Sequence, residues 1–384
     1  MFSNLSVSTH NSAYRYPITD SRLPFAEYIK QCQAIITERR TDLARPHTDA
    51  QTVIAANSPF EVYPAASHDG TIKYGVLLIH GLLDCPFTFR EISAQLKTKG
   101  ILSRAVLLPG HGTEPSDLMH ITYHDWLQAV RYGIETLKKE VEEVYLVGFS
   151  TGAALSIYHA LQDSQIAGII LLSPAIKMRV PVDVAASWYH FTKSFGKDRN
   201  WVYRCPEDDY VKYKSIPFNG VRQLCELTDA VREMGQESPL QTPVYMILSR
   251  EDETISSHEA IEFFTSLRNP ESRMLLYSSI DHRYPDTRIE TRKSAFPELN
   301  IAHISHPSIG FSPENAHYGQ TGDYLHAART DKKYIYGAYN HLELGVFKLM
   351  AKLRLVKAPR HVLTYNPDFR NMANSIGEFI IGNR

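Results

Sequence analysis

The run Val144-Tyr145-Leu146-Val147 passes through Gly148-Phe149-Ser150-Thr151-Gly152 straight into Ala153-Ala154-Leu155-Ser156-Ile157. An apolar strand that turns at once into a helix, with a single serine between two glycines, has few folded solutions. The chain must bend sharply at Ser150, which drives that residue into a strained backbone conformation. Glycine at 148 and 152 removes the side chains that would collide in the bend. Such a turn is a nucleophile elbow: the hydroxyl is pushed clear of the backbone, and the amides of the following helix face any oxyanion formed beside it. A bare G-x-S-x-G is a weak pattern, and a structural glycine turn would also produce it. The strand-then-helix setting is what marks Ser150 as a nucleophile.

The flanking sequence predicts a sheet around that bend. Residues 75–79 are an all-apolar run into His80-Gly81, as buried parallel strands are. Spacing predicts a helix over 89–97 and a strand over 101–108 that ends in Leu108-Pro109-Gly110-His111-Gly112. A helix over 123–139 and a strand over 166–172 follow. This alternation predicts an α/β fold, a doubly wound and mostly parallel sheet with right-handed crossovers. At 175–238 the rhythm breaks into a segment holding Trp188, Tyr189, Phe191, Phe195, Trp201 and Tyr203. We expect an inserted, mainly helical lid there, whose rings line an apolar channel or pack the lid on the core. The sheet resumes at 243–248, with a helix at 257–267 and a strand at 273–278. A second irregular insertion is expected at 281–339. A last helix over 368–380 puts Phe369, Met372, Ile376 and Phe379 on one face. Residues 1–60 read as an N-terminal extension with one helix at 24–40, leaving 61–384 as one domain that carries both insertions.

A chain of 384 residues, 43% hydrophobic and 22% charged, suits one large unit of this kind. Its net charge of −1 gives no electrostatic reason to expect a nucleic-acid partner. Residues 1–20 lack the apolar centre of a signal peptide, and no stretch approaches the roughly 18 apolar residues of a membrane span. Cys32, Cys85, Cys205 and Cys225 lack metal-site spacing, so reduced thiols in a cytoplasmic protein are expected. The histidines form no H-E-x-x-H, and Gly110-His111-Gly112 lacks the third glycine of a dinucleotide loop. Neither a metal nor a cofactor is expected. Residues 347–360 set Lys348, Lys352, Arg354, Lys357 and Arg360 among leucines. A solvated element with one buried face explains them better than contact with an anionic membrane surface. The oligomeric state has no signature in the sequence.

A serine hydroxyl is a poor nucleophile at neutral pH and needs a base, and the base needs an orienting carboxylate. Asp252 follows an apolar strand, at the sheet edge where catalytic groups gather in open α/β folds. Glu251 competes with it. For the base, His282 follows the strand at 273–278, and His306 follows the apolar segment 299–305. His361 precedes the last helix. His303 reads as structural. Two backbone amides should form an oxyanion hole, that of Thr151 after the nucleophile and that of Leu82 after His80-Gly81.

Taken together, Val76-Leu77-Leu78-Ile79-His80-Gly81-Leu82, Leu108-Pro109-Gly110-His111-Gly112-Thr113, Gly148-Phe149-Ser150-Thr151-Gly152 and Asp252 resemble the α/β-hydrolase superfamily. Within it they are most similar to the bacterial carboxylesterase and monoacylglycerol-lipase group. Ile304-Ser305-His306 with Tyr318-Gly319 resembles the histidine region of a branch with an enlarged segment there. The resemblance implies Ser150, Asp252 and His306 as a catalytic triad, with Leu82 and Thr151 as the oxyanion hole. It also implies a serine hydrolase that cleaves short- or medium-chain carboxylic esters or monoacylglycerol-like lipids. Two alternatives stand beside this. One is an acyltransferase that passes the same acyl-serine to another acceptor, and the other is a binding protein that keeps the fold without turnover.

Overall fold

The computed structural model describes residues 20–43, 49–65, 71–177, 200–299, 301–325, 335–336, 360–361 and 364–382. Trp188, Tyr189, Phe191 and Phe195 of the expected lid lie outside them, as does most of the basic segment 347–360.

The centre of the molecule is an eight-stranded sheet. Its strands in chain order are β1 (Phe60–Val62), β2 (Ile72–Ile79), β3 (Ile101–Val106), β4 (Val141–Phe149) and β5 (Ile166–Leu172), then β8 (Val244–Ser249), β9 (Arg273–Ser278) and β10 (Ile289–Lys293). Two short strands, β6 (Trp201–Tyr203) and β7 (Ile216–Pro217), pair with each other outside it. The spatial order is β1-β3-β2-β4-β5-β8-β9-β10, with β1 antiparallel to β3 and every other pair parallel.

Successive side chains of a strand face opposite ways, and β2 shows how that builds two cores. Leu77 and Ile79 join one apolar cluster, with Trp126, Val130 and Ile134 of α4 (Tyr123–Leu137) and Ala153 and Ile157 of α5 (Thr151–Gln162). Val76 and Leu78 join the other. There they meet Ile92 and Leu96 of α3 (Arg90–Thr98) and, near the C-terminus, Met372 and Ile376 of a helix at Phe369–Ile381. Both faces are covered, so the central strands carry unbroken apolar runs.

The N-terminal helix α1 (Phe25–Arg39) buries Phe25, Tyr28, Cys32 and Ile36 in the first cluster, and α2 (Ala50–Asn57) follows it. The Tyr28 hydroxyl accepts from Leu107 N and donates to Leu107 O, which ties α1 to the end of β3. Of the segment 175–238, the described part includes β6, β7 and the long helix α6 (Phe218–Glu237), which lies against α5. After β8 comes α7 (Ser257–Ser266), and the C-terminal helix is α8 (Phe369–Ile381).

Two elements differ from the sequence expectation. Residues 289–293, inside the expected irregular insertion, extend the sheet as β10, parallel to β9. Their alternation is polar because a sheet edge buries little of either face. Conversely, 299–305 is not a strand: among its described residues only Ile301 bridges, to Phe296. Among the described residues no helix is long and apolar enough to cross a membrane.

Candidate active site

The elbow is built by steric exclusion. Ser150 has φ 52° and ψ −110°, and its amide donates to Leu172 O. A Cβ on Gly152 would lie 1.9 Å from Ile79 O, and one on Gly148 would lie 2.2 Å from Gly152 O. Only glycine lets α5 start this close to β2. Once it does, Ser150 stands at the C-terminal edge of the central strand β4, beside the first amides of α5, which have no intrahelical acceptor.

The structure brings Ser150, His306 and Asp252 together. His306 Nε2 lies 3.1 Å from Ser150 Oγ, and His306 Nδ1 lies 2.7 Å from Asp252 Oδ2. Asp252 is fully buried after β8, and its Oδ1 accepts from the amides of Thr254 and Ile255, both at 2.9 Å. Those two amides turn its other oxygen toward the ring. With Asp252 accepting at Nδ1–H, neutral His306 offers Nε2 as the acceptor for the serine proton. Burial opposes a charge on His306, but the Asp252 charge and hydrogen bond, with Glu253 adding to them, outweigh it and raise its pKa above the usual value.

The other candidates lie elsewhere. His282 is exposed, with its ring against Tyr284. Glu251 turns to the ends of β9 and β10, accepting from Ser279 N, Ser279 Oγ and Ser294 Oγ. His361 falls in a two-residue strand, and its side chain is outside the described set.

Leu82 and Thr151 are also adjacent. The Leu82 amide donates to Thr151 Oγ1 at 3.2 Å, so both backbone N–H groups lie beside the serine turn. The Leu82 loop is gripped from several sides. His80 Nδ1–H donates to Gly81 O while Nε2 accepts from Leu108 N, and His111 Nε2 accepts from Leu83 N. Leu83 itself sits at φ 65°. Both rings are neutral, since burial presses the His80 pKa down to about 4 and that of His111 well below its usual value.

Three residues that carried no signal in the sequence complete the surroundings. Lys212 pairs with buried Asp84 at 2.8 Å, next to the rings of Phe149, Phe311 and Tyr318. Asp84 also accepts from Thr88 Oγ1. Glu253, directly after Asp252, is buried and accepts from the main-chain amide of His306. Lys212 and Asp84 are far apart in the chain, and nothing local announces that they meet. The arrangement can take a proton from a serine, hold the resulting imidazolium and donate to an oxyanion, which is the machinery of acyl transfer.

Comparison with known proteins gives a family and several similar proteins. Over 206 residues the chain is 25% identical to a thermostable monoacylglycerol lipase of Bacillus sp. (strain H-257), covering 52% of this chain and 79% of that one. Among solved structures it is similar to metagenome-derived lipolytic enzymes described with LipS and LipT (22% identity, TM-score 0.48, 56% of this chain and 86% of the other). It is also similar to a monoacylglycerol lipase of Paleococcus ferrophilus (18% identity, TM-score 0.45, 59% and 90%). The family model described as serine aminopeptidase, S33, matches residues 70–285, more than half of the chain. With that match and this sheet, the chain belongs to the serine aminopeptidase S33 family of α/β-hydrolases.

Proposed function

We propose that this serine hydrolase cleaves carboxylic esters with short- or medium-chain acyl groups, or monoacylglycerol-like lipids, through an acyl-serine. The observation that carries this reading is the continuous hydrogen-bonded line from Ser150 Oγ through His306 to Asp252. Kinship with a monoacylglycerol lipase supports the choice of substrate. His306 Nε2 removes the Ser150 proton as Oγ attacks the ester carbonyl. The amides of Leu82 and Thr151 hold the tetrahedral oxyanion, and Asp252 steadies the imidazolium. The imidazolium then protonates the leaving alcohol. Water, deprotonated by His306, hydrolyses the acyl-serine and returns Ser150. In this reading the described residues 200–238 of the first insertion belong to a lid over the site.

The test is hydrolysis of a chromogenic ester by Ser150→Ala, paired with fluorophosphonate labelling. Ester turnover is expected to fall by on the order of 10³-fold or more in the folded variant. The wild-type label should map to Ser150. Undiminished hydrolysis in the variant would refute the reading.

A further inference from the structure

Asp252 and Glu253 are consecutive, both are buried, and both point at one residue. Asp252 holds the ring of His306, while Glu253 Oε1 and Oε2 lie 3.3 and 3.1 Å from its main-chain nitrogen. His306 stands in a single short turn (His306–Ser308) that follows a non-strand segment, so no sheet ladder fixes its backbone. A buried carboxylate is costly unless it is paired and hydrogen-bonded, and Glu253 is buried beside both the His306 amide and the Asp252 carboxylate. The carboxylate that holds the His306 main chain therefore stands beside the residue whose ring becomes charged in the proposed reaction.

We propose, on the reading given under Proposed function, that Glu253 is a positioning residue: it anchors the His306 backbone and, when ionised, adds a second negative charge that stabilises the imidazolium. Among the described residues, the charged groups facing His306 include Asp252 and Glu253 from the turn after β8 and Lys212 from the insertion; those facing Glu253 include Asp252 and His306. Burial, and then the neighbouring Asp252 charge, push the Glu253 pKa up to about 7. Glu253 and His306 are therefore two titratable groups that act on each other, since the Glu253 charge raises the pKa of the ring. A proton arriving at this pair has two destinations, and only the one on His306 stops catalysis, so the acid limb of activity belongs to both groups.

The experiment is the pH dependence of fluorophosphonate inactivation, which reports Ser150 reactivity without dependence on the natural substrate. Glu253→Gln keeps an oxygen acceptor for the His306 amide but removes the charge. Its acid limb is expected to move down by roughly half to one pH unit, with the plateau rate within about threefold of wild type. Glu253→Ala loses the acceptor too, and its plateau should fall by about tenfold or more. A Glu253→Gln profile that superimposes on wild type, or that loses rate without moving the limb, would overturn the proposal. Should neither variant fold, titration of the His306 ring in the wild-type enzyme by NMR decides: two coupled steps support it and a single step overturns it. Absence of any label on wild-type Ser150 is a separate outcome, because that defeats the hydrolase mechanism itself.

Discussion

At Gly152 the missing Cβ is what allows the sheet and α5 to touch, because its place lies 1.9 Å from Ile79 O. Gly152→Ala must push α5 off β2, at a cost of about 3 kcal/mol and with displacement of the Thr151 amide. A lower urea midpoint with lost esterase activity is the expected result. Asp252 and Glu251 are neighbours with opposite assignments. Asp252→Asn should keep the fold but present the wrong histidine tautomer, lowering kcat by about 10⁴. Glu251→Gln, whose carboxylate serves Ser279 and Ser294, should change kcat by less than about threefold. Steady-state kinetics on both variants checks the pair, and equal losses would contradict it.

Among the elements, the segment 209–213 of the first insertion is tied to the Leu82 loop at two points. Tyr213 N donates to Leu83 O at 2.8 Å, and Lys212 reaches Asp84. Replacing Lys212 with Met strands the buried Asp84 carboxylate, a loss on the order of 3 kcal/mol. It should also weaken a trifluoromethyl-ketone inhibitor, which forms an oxyanion, more than it raises KM. Equal effects on both would show that Lys212 acts on the fold alone. The same segment is joined to the second insertion through His317, whose Nε2 meets Asp209 and whose Nδ1 meets Asp323. Burial opposes its charge, yet the Asp209 and Asp323 contacts prevail and raise its pKa. A histidine with a raised folded pKa stabilises fully below its unfolded value of 6.5 and loses that contribution as pH rises through the folded value. The Tm gap between wild type and His317→Gln should therefore be widest in mild acid and narrow in alkali.

On the scale of the whole molecule, acid stability is set by histidines that the fold keeps neutral. Burial lowers His80 and His159 to about 4, and presses His111 well below its usual value. The unfolded chain binds protons at these sites near pH 6.5 and the folded one does not, so stability rises as pH climbs from about 4 to 6.5. Each of the first two is worth on the order of 3 kcal/mol across that window. Glu253, with its raised pKa, acts in the opposite sense between 4.5 and about 7, but among these described residues it is one group against three. Urea midpoints are expected to rise steeply from pH 4.5 to 6.5 at constant m. A flat profile would mean that these rings exchange protons freely in the folded state.

The elbow at Ser150 was legible in the chain because its cause is local: five consecutive residues decide whether a strand can turn into a helix without collision. The parallel sheet was legible for the same kind of reason, since burial on both faces writes continuous apolar runs into 76–79, 144–149 and 166–172. Asp252 could be placed at a strand end by counting, though not separated from Glu251, because both follow β8 and only their side-chain directions differ. The choice between His282 and His306 depended on how 281–305 folds back, and that path adds a polar edge strand that no apolar pattern announces. Lys212 with Asp84, and Glu253 with His306, are meetings across 128 and 53 positions of chain. Backbone sterics and apolar periodicity act over a few residues and are spelled out in order. Pairings of charge across loops are made only when the sheet has closed and brought those loops to one edge.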